Sequence, residues 1–174
     1  ITLSYEGLSP DMTCTLILMH HAKSDWNLAT LNDHDRPLNA RGRDGARAMG
    51  HWLRTGGHVP DAALVSSATR TVETYDRLGF DTPATVTREL YLQDPDAMLG
   101  ILRKATAPTV LMLGHNPGIG EMAWHLCATR PDHVRFADYP TCATLVVRFD
   151  VDGWNDIGWH KGQPMDFAIP SDVM

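Results

Sequence analysis

The stretch Leu16-Ile-Leu-Met-His-His-Ala-Lys-Ser-Asp-Trp26 decides the fold of this chain. It opens with four consecutive apolar residues, a run that is typical of a strand buried on both faces of a parallel sheet. Two histidines, His20 and His21, follow at the point where that strand should end. Because ligands of open α/β sheets bind at the carboxyl ends of the strands, we expect these histidines to line a site.

The composition is that of an ordinary globular protein without an excess of positive charge. The chain has 174 residues, of which 43% are hydrophobic and 21% are charged, and its net charge is −6. The negative charge argues against broad binding to nucleic acid, and no apolar stretch is long enough to span a membrane. Three widely spaced cysteines argue against a disulfide framework, so we predict a cytoplasmic protein whose cysteines are reduced.

The first residues differ from the rest of the chain. Residues 1–11 contain Gly7 and Pro10 and have no periodic apolar pattern, which predicts an N-terminal loop extension. Residues 12–174 are long enough to bury a core of normal size, so we predict a single domain there.

Strand-like and helix-like segments alternate along most of the chain. The predicted strands are 14–19, 62–66, 85–87, 109–113 and 143–149. Asn39 and Asp94 are predicted helix N-caps, with Pro95 at the first helical position. Asp152-Gly153 predicts a hairpin turn, with residues 154–159 as the returning strand and an irregular tail after it. The pattern predicts a three-layer α/β/α domain, whose mostly parallel sheet ends in an antiparallel hairpin.

Polar side chains of one chemical kind follow three of the predicted strands. All of them are donors suited to a phosphate dianion, and they are His20, His21, Lys23, Ser24, Ser66, Ser67, Arg70, His115 and Asn116. Since the carboxyl ends of parallel strands share one edge of the sheet, these groups and the following helix N-termini should converge. An arginine there can bind two phosphate oxygens with its planar fork. The sequence therefore predicts a phosphate pocket at this edge.

A histidine in such a pocket can act as a nucleophile. It must be neutral, with one ring nitrogen free to attack phosphorus and the other holding its proton. Attack would give a phosphohistidine intermediate that water then hydrolyses. The remaining task is positioning and charge stabilisation, which Arg, Lys and His supply without a metal or other cofactor.

Several motifs, taken in order, resemble the histidine phosphatase superfamily with its phosphoglycerate-mutase-like fold, and in particular its small phosphohistidine phosphatase branch. The matching residues are Met19-His20-His21-Ala22-Lys23-Ser24, Asp35-Arg36-Pro37-Leu38, Arg41-Gly42, Ser66-Ser67-Ala68-Thr69-Arg70-Thr71 and Gly114-His115-Asn116-Pro117-Gly118. The resemblance covers roughly residues 14–170. It implies that His21 is the nucleophile and that Arg70 and His115 bind the phosphoryl group.

Position 20 departs from the family pattern. The family has arginine directly before the nucleophile, whereas this chain has His20. A neutral imidazole offers one donor in place of a charged fork, and losing such a contact can lower a rate on the order of a hundredfold. Either Lys23 compensates for the missing charge, or His20 acts in its protonated form and the pH optimum is lower.

The general acid is a second open point. Glu89 is the first candidate, with Asp25 and Asp35 as alternatives. Members of the small branch lack an obvious equivalent, and an imidazole leaving group needs a strong acid less than an alkoxide does.

The resemblance therefore implies a phosphorylated protein domain as the substrate, with two alternatives. These are a small-molecule phosphomonoesterase and a catalytically weak module that binds phosphate or phosphohistidine. A zinc site formed by His20, His21 and His34 is a chemical alternative, but no His-Glu-x-x-His or paired-cysteine pattern supports it.

Overall fold

The computed structural model describes residues 12–28 and 31–174, in which six strands form one sheet in the order β3-β2-β4-β1-β5-β6. They are β1 (Cys14–His20), β2 (Ala62–Ser66), β3 (Ala84–Thr87), β4 (Thr109–Gly114), β5 (Thr144–Phe149) and β6 (Gln163–Ala168). Strands β3, β2, β4 and β1 run parallel, β5 is antiparallel to β1, and β6 is antiparallel to β5. The predicted mostly parallel sheet with a final antiparallel pair is confirmed.

The helices cover both faces of this sheet. They are α1 (Ala40–Thr55), α2 (Thr69–Leu78), α3 (Pro95–Leu102), α4 (Gly118–Leu126) and α5 (Pro170–Val173). Leu16 and Leu18 of β1 belong to the apolar cluster that includes residues of α3 and α4, whereas Ile17 and Met19 belong to the cluster on α1 and α2. Successive strand residues point to opposite faces, so the apolar run of β1 serves both layers. The predicted three-layer α/β/α architecture is confirmed.

Two predicted helix starts are present with their caps. The side chain of Asn39 accepts a hydrogen bond from Gly42 N at 2.8 Å, at the beginning of α1. Asp94 accepts one from Ala97 N at 2.8 Å, and Pro95 is the first residue of α3. Both helices therefore begin where a side-chain acceptor satisfies a backbone N–H.

The predicted hairpin is wrong in its second strand. Residues Trp154–Asp156 form a short 3₁₀ helix, and the strand that pairs with β5 is β6, followed by α5 in the tail predicted to be irregular. Trp154 is 2% exposed, and its indole N–H donates to the carbonyl oxygen of Ala107 at 2.6 Å. Burial of this ring in the core favours the 3₁₀ helix here over a strand that pairs with β5 directly after the turn.

The strand register places three carboxyl ends side by side. His20 lies opposite Gly114, and Val65, the residue before Ser66, lies opposite Leu113. The residues that follow β1, β2 and β4 therefore meet at one edge of the sheet.

Three predictions about the chain as a whole stay open. The predicted loop at residues 1–11 lies outside the described residues, and the single-domain assignment for 12–174 stays a prediction. Among the helices that the structure describes, none is long and apolar enough to cross a bilayer. The cytoplasmic location also stays a prediction.

Candidate active site

The loop after β1 is held from two sides. Cys142 N donates to the carbonyl oxygens of His20, at 3.0 Å, and of His21, at 2.9 Å. Ala22 N donates to Oγ1 of Thr74 in α2 at 3.0 Å. These bonds tie the backbone of both histidines to α2 and to the segment before β5, so the fold sets the position of the two rings.

His21 is held in the state that a nucleophile requires. Its ring is buried, and Nδ1 donates to the carbonyl oxygen of Ala22 at 2.7 Å, which leaves a lone pair on Nε2. The Nε–H of Arg70 points at this lone pair from 3.3 Å. Burial, together with the neighbouring His20, holds the pKa of His21 well below its usual value, so the ring stays neutral at pH 7.

Arg70 joins His21 to His115. It lies in the first turn of α2 with its side chain 3% exposed, and Nη2 donates to Nδ1 of His115 at 3.2 Å. Because Nδ1 accepts, neutral His115 carries its proton on Nε2 and donates to Oγ of Ser66 at 2.7 Å. Burial and the charge of Arg70 lower the pKa of His115 to about 3. The structure thus brings together His21, Arg70 and His115, the three residues that the resemblance implied.

His20 lies beside the nucleophile but does not replace the missing arginine charge. The residue is 7% exposed, and its ring centroid is 4.4 Å from that of His21. Nδ1 donates to the carbonyl oxygen of Tyr139 at 3.0 Å. Burial lowers the pKa of His20, so the ring is neutral at pH 7 before substrate binds.

The side chain of Asn116 is hydrogen-bonded to the surrounding loops. Its side-chain N–H groups donate to the carbonyl oxygens of Tyr139, at 2.8 Å, and Asp138, at 3.2 Å. Its Oδ1 accepts from Gly120 N at 3.0 Å. This side chain ties the loop before β5 to the first turn of α4, and its predicted contact with phosphate stays a prediction.

Lys23 and Ser24 occupy different environments. Lys23 is exposed, while its backbone is pressed against α1 so closely that a Cβ on Gly42 would overlap the Lys23 carbonyl oxygen. Ser24 is buried, and its hydroxyl accepts a hydrogen bond from Nη1 of Arg36. Both remain predicted phosphate ligands. Because Lys23 is exposed and Ser24 is buried, the Lys23 side chain is the less constrained of the two.

None of the predicted acids hydrogen-bonds to His21, Arg70 or His115. Glu89 is exposed on a short 3₁₀ helix, Arg88–Leu90, that directly follows β3. Asp25 accepts from Asn27 N, and Asp35 lies 3.5 Å from Nδ1 of His34. The identity of a general acid therefore stays a prediction.

Sequence reasoning missed one carboxylate that does contact the cluster. Asp33 accepts from Nη2 of Arg70 at 2.9 Å, from Nη2 of Arg36 at 3.1 Å and from the hydroxyl of Tyr91. Partial burial acts to raise the pKa of Asp33, but hydrogen bonds from Tyr91, Arg36 and Arg70 overcome it and hold the pKa well below its usual range. Asp33 lies two residues before a motif that carried the resemblance, yet nothing in the local sequence marks it as a partner of Arg70.

The zinc site of His20, His21 and His34 was an alternative that the sequence disfavoured. Within 12–28 and 31–174, no group of three or more His, Cys, Asp or Glu side chains is arranged to hold a metal ion. His34 instead contacts Oγ of Ser67 through Nε2 at 2.8 Å.

Comparisons with known proteins agree with this geometry. The family model described as "Histidine phosphatase superfamily (branch 1)" matches residues 16–96, which include His21 and Arg70. An uncharacterized protein of Mycobacterium leprae is 34% identical over 162 residues, covering 87% of this chain and 99% of that protein. An uncharacterized protein of Mycobacterium tuberculosis strain H37Rv is 32% identical over 159 residues, with the same coverage.

A solved structure extends the similarity over the whole fold. The protein histidine phosphatase SixA complexed with tungstate is 25% identical and has a TM-score of 0.75, covering 92% of this chain and 99% of that one. These relations support phosphatase activity. With its strand order, its buried His21–Arg70–His115 cluster and these relatives, the chain belongs to the histidine phosphatase superfamily, in its small SixA-like branch.

Proposed function

We propose that this protein is a metal-independent phosphatase that hydrolyses phosphohistidine on a protein domain through a phosphohistidine intermediate on His21. One observation carries the proposal: the Nδ1–H of His21 is bound to the Ala22 carbonyl oxygen, and its Nε2 lone pair faces the Arg70 guanidinium. The nucleophilic atom and a fixed positive charge therefore lie side by side, where phosphorus would be attacked.

The reaction proceeds in two displacements. His21 Nε2 forms a bond to phosphorus while the bond from phosphorus to the substrate imidazole breaks, and the leaving imidazole takes up a proton from water. A water molecule then attacks phosphorus and the bond to Nε2 breaks. The proton that this water loses neutralises the hydroxide left by the first step, and inorganic phosphate leaves. Arg70 stabilises the charge on the equatorial oxygens in both steps, since phosphoryl transfer depends mostly on positioning and electrostatics.

The protonation states of the residues in the cluster favour phosphohistidine over a phosphate ester as the substrate. The lowered pKa values leave His21 and His115 neutral at pH 7, and Asp33 is ionised, so none of them is a strong acid there. An alkoxide leaving group needs an acid, whereas an imidazole is protonated easily and leaves as a neutral ring. The similarity to a protein histidine phosphatase points to the same substrate class.

A comparison of substrates tests this proposal. With EDTA present, we expect kcat/KM for a phosphohistidine protein domain to exceed that for p-nitrophenyl phosphate and sugar phosphates by at least about a hundredfold. Initial rates of phosphate release measure it, and background hydrolysis is subtracted with heat-inactivated protein. Equal rates on sugar phosphates would favour the small-molecule phosphomonoesterase instead, and activity lost in EDTA would contradict metal independence.

The neutral ring of His20 favours a second candidate, a phosphate- or phosphohistidine-binding module with weak turnover. Burial lowers the pKa of His20, so this side chain supplies no fixed charge beside His21 before substrate binds. If no other group supplies that charge, the transition state is less stabilised than the family pattern allows, while Arg70 would still hold a bound phosphoryl group.

Replacing His20 with arginine distinguishes the two. If the protein is the weak binding module, we expect His20→Arg to raise kcat/KM on a phosphohistidine protein by about 10- to 100-fold, because a guanidinium adds a fixed charge and a two-donor fork. If another group already supplies that charge in the proposed phosphatase, the gain should be small. The matched control is His20→Gln, which stays neutral and should not gain. Thermal unfolding of each variant checks that the buried substitution is tolerated. If His20→Arg and His20→Gln have the same rates, the charge at position 20 is not what limits turnover.

A further inference from the structure

The guanidinium of Arg70 is bound along two different edges. Its Nε and Nη2 atoms face the two histidine rings, at 3.3 Å from His21 Nε2 and 3.2 Å from His115 Nδ1. Its Nη1 and Nη2 atoms face Asp33, where Nη1 donates to the backbone carbonyl oxygen at 2.6 Å and Nη2 donates to Oδ2 at 2.9 Å. Each Nη carries two N–H groups, so both edges can be engaged at once.

The two edges differ in what happens to them during the reaction. When phosphorus bonds to His21 Nε2, the lone pair that Arg70 Nε now faces is used up, so that contact cannot persist. The contacts from Arg70 to Asp33 use Nη1 and the second N–H of Nη2, which can stay bound while the other edge changes partners. They are therefore the ones able to keep the long arginine side chain in one orientation throughout both displacements.

Asp33 is itself held in place by neighbours. Its Oδ1 accepts from Arg36 Nη2 at 3.1 Å, and the Arg36 guanidinium lies over the Trp26 ring, 3.6 Å from its centroid. The hydroxyl of Tyr91 donates to Oδ2 of Asp33, and the Tyr91 ring meets His115 edge-on with centroids 5.4 Å apart. The carboxylate thus accepts from three donors, Arg36, Tyr91 and Arg70, which fix its orientation.

We propose that Asp33 is a positioning residue, which binds one edge of the Arg70 guanidinium so that the Nε–Nη2 edge stays turned toward His21 and His115 to receive phosphoryl oxygens. This inference rests on the proposed function, because it assigns Arg70 the phosphoryl group. The Asp33 carboxylate contacts Arg70, Arg36 and Tyr91 rather than the nucleophile, and it acts through Arg70.

A double-mutant cycle tests the assignment, with the Kd of inorganic phosphate and kcat/KM on a phosphohistidine protein as the two readouts. We expect Asp33→Ala to weaken both by about 10- to 100-fold, since a misplacement of about 1 Å costs that much. In an Arg70→Lys background the same change should have little further effect, because the guanidinium it orients is gone. Asp33→Asn keeps an acceptor for Nη2 and should recover part of the loss. The control is Asp44→Ala, an exposed carboxylate on α1 that pairs with Arg47 at 3.2 Å.

The outcomes separate this inference from the proposed function. Equal losses from Asp33→Ala in both backgrounds would mean that Asp33 acts independently of Arg70, and would overturn the inference. Tighter phosphate binding in Asp33→Ala would overturn it too, since the carboxylate would then compete with the ligand. If the unaltered protein turns over but Asp33→Ala matches Asp44→Ala, the inference alone fails. If the unaltered protein binds phosphate without turnover and the cycle still shows coupling, the proposed function alone fails.

Discussion

Replacing His21 with alanine is expected to lower kcat on a phosphohistidine protein by at least about 10³-fold, equivalent to about 4 kcal/mol of transition-state stabilisation. The substitution removes the atom that attacks phosphorus, and no second histidine is placed to substitute for it: His115 offers its Nδ1 to Arg70, and His20 is bound to Tyr139. Rates of phosphate release at saturating substrate measure the effect.

Several controls separate loss of the nucleophile from loss of the fold. Because His21 is buried, His21→Gln, which retains most of the volume, should be as inactive as His21→Ala. His51→Ala, an exposed position on α1, should keep full activity. An acid-labile phosphoryl label should appear on the unaltered protein after rapid quenching and be absent from both His21 variants. Activity of His21→Ala within tenfold of the unaltered protein would rule out a covalent intermediate on this residue.

The pH dependence provides a further readout of the same residue. An ordinary histidine would be half-protonated near pH 6.5 and would lose nucleophilicity below it. Since burial and His20 lower the pKa of His21, the ring stays neutral as the pH falls, and kcat/KM should hold between pH 7 and 6 after correction for unfolding. A loss centred at pH 6.5 would contradict this.

The second large effect is expected at Arg70, where even a substitution that preserves the charge should be severe. We expect Arg70→Lys to lower kcat/KM by about 10²- to 10³-fold. Arg70 directs Nε to His21 and Nη2 to His115, and it binds Asp33 at the same time. A lysine ammonium is a point charge and cannot hold this fork geometry. Steady-state kinetics on the phosphohistidine protein measure the loss.

The same helix offers the matched control. Arg77 lies in the last turn of α2 and pairs with Glu73 at 3.6 Å, so Arg77→Lys changes the same residue type without touching the cluster. It should retain activity within about twofold, because substitutions away from buried features have small effects. If Arg70→Lys is no worse than Arg77→Lys, Arg70 does not bind the phosphoryl group and the proposed mechanism fails.

The sequence by itself determined the sheet and the outline of the site. Four apolar residues before His20 predicted a doubly buried strand, and the structure confirms it, because only a central strand can bury both faces of such a run. The motifs after β1, β2 and β4 were correctly expected to converge, since parallel strands end at one edge. The caps at Asn39 and Asp94 were predictable because a cap depends on residues three positions apart.

Tertiary structure decided what depends on residues distant in sequence. The Asp152-Gly153 signal predicted an immediate strand, but the core accepts the Trp154 ring and the chain pairs with β5 only from Gln163. The neutral state of His20 follows from its burial, which lowers its pKa despite the opposing hydrogen bond to the Tyr139 carbonyl, 119 residues away. The contact of Asp33 with Arg70 spans 37 residues, and only the packed fold brings the two together. Local patterns specify elements and their ends, whereas protonation and side-chain orientation depend on neighbours that folding supplies.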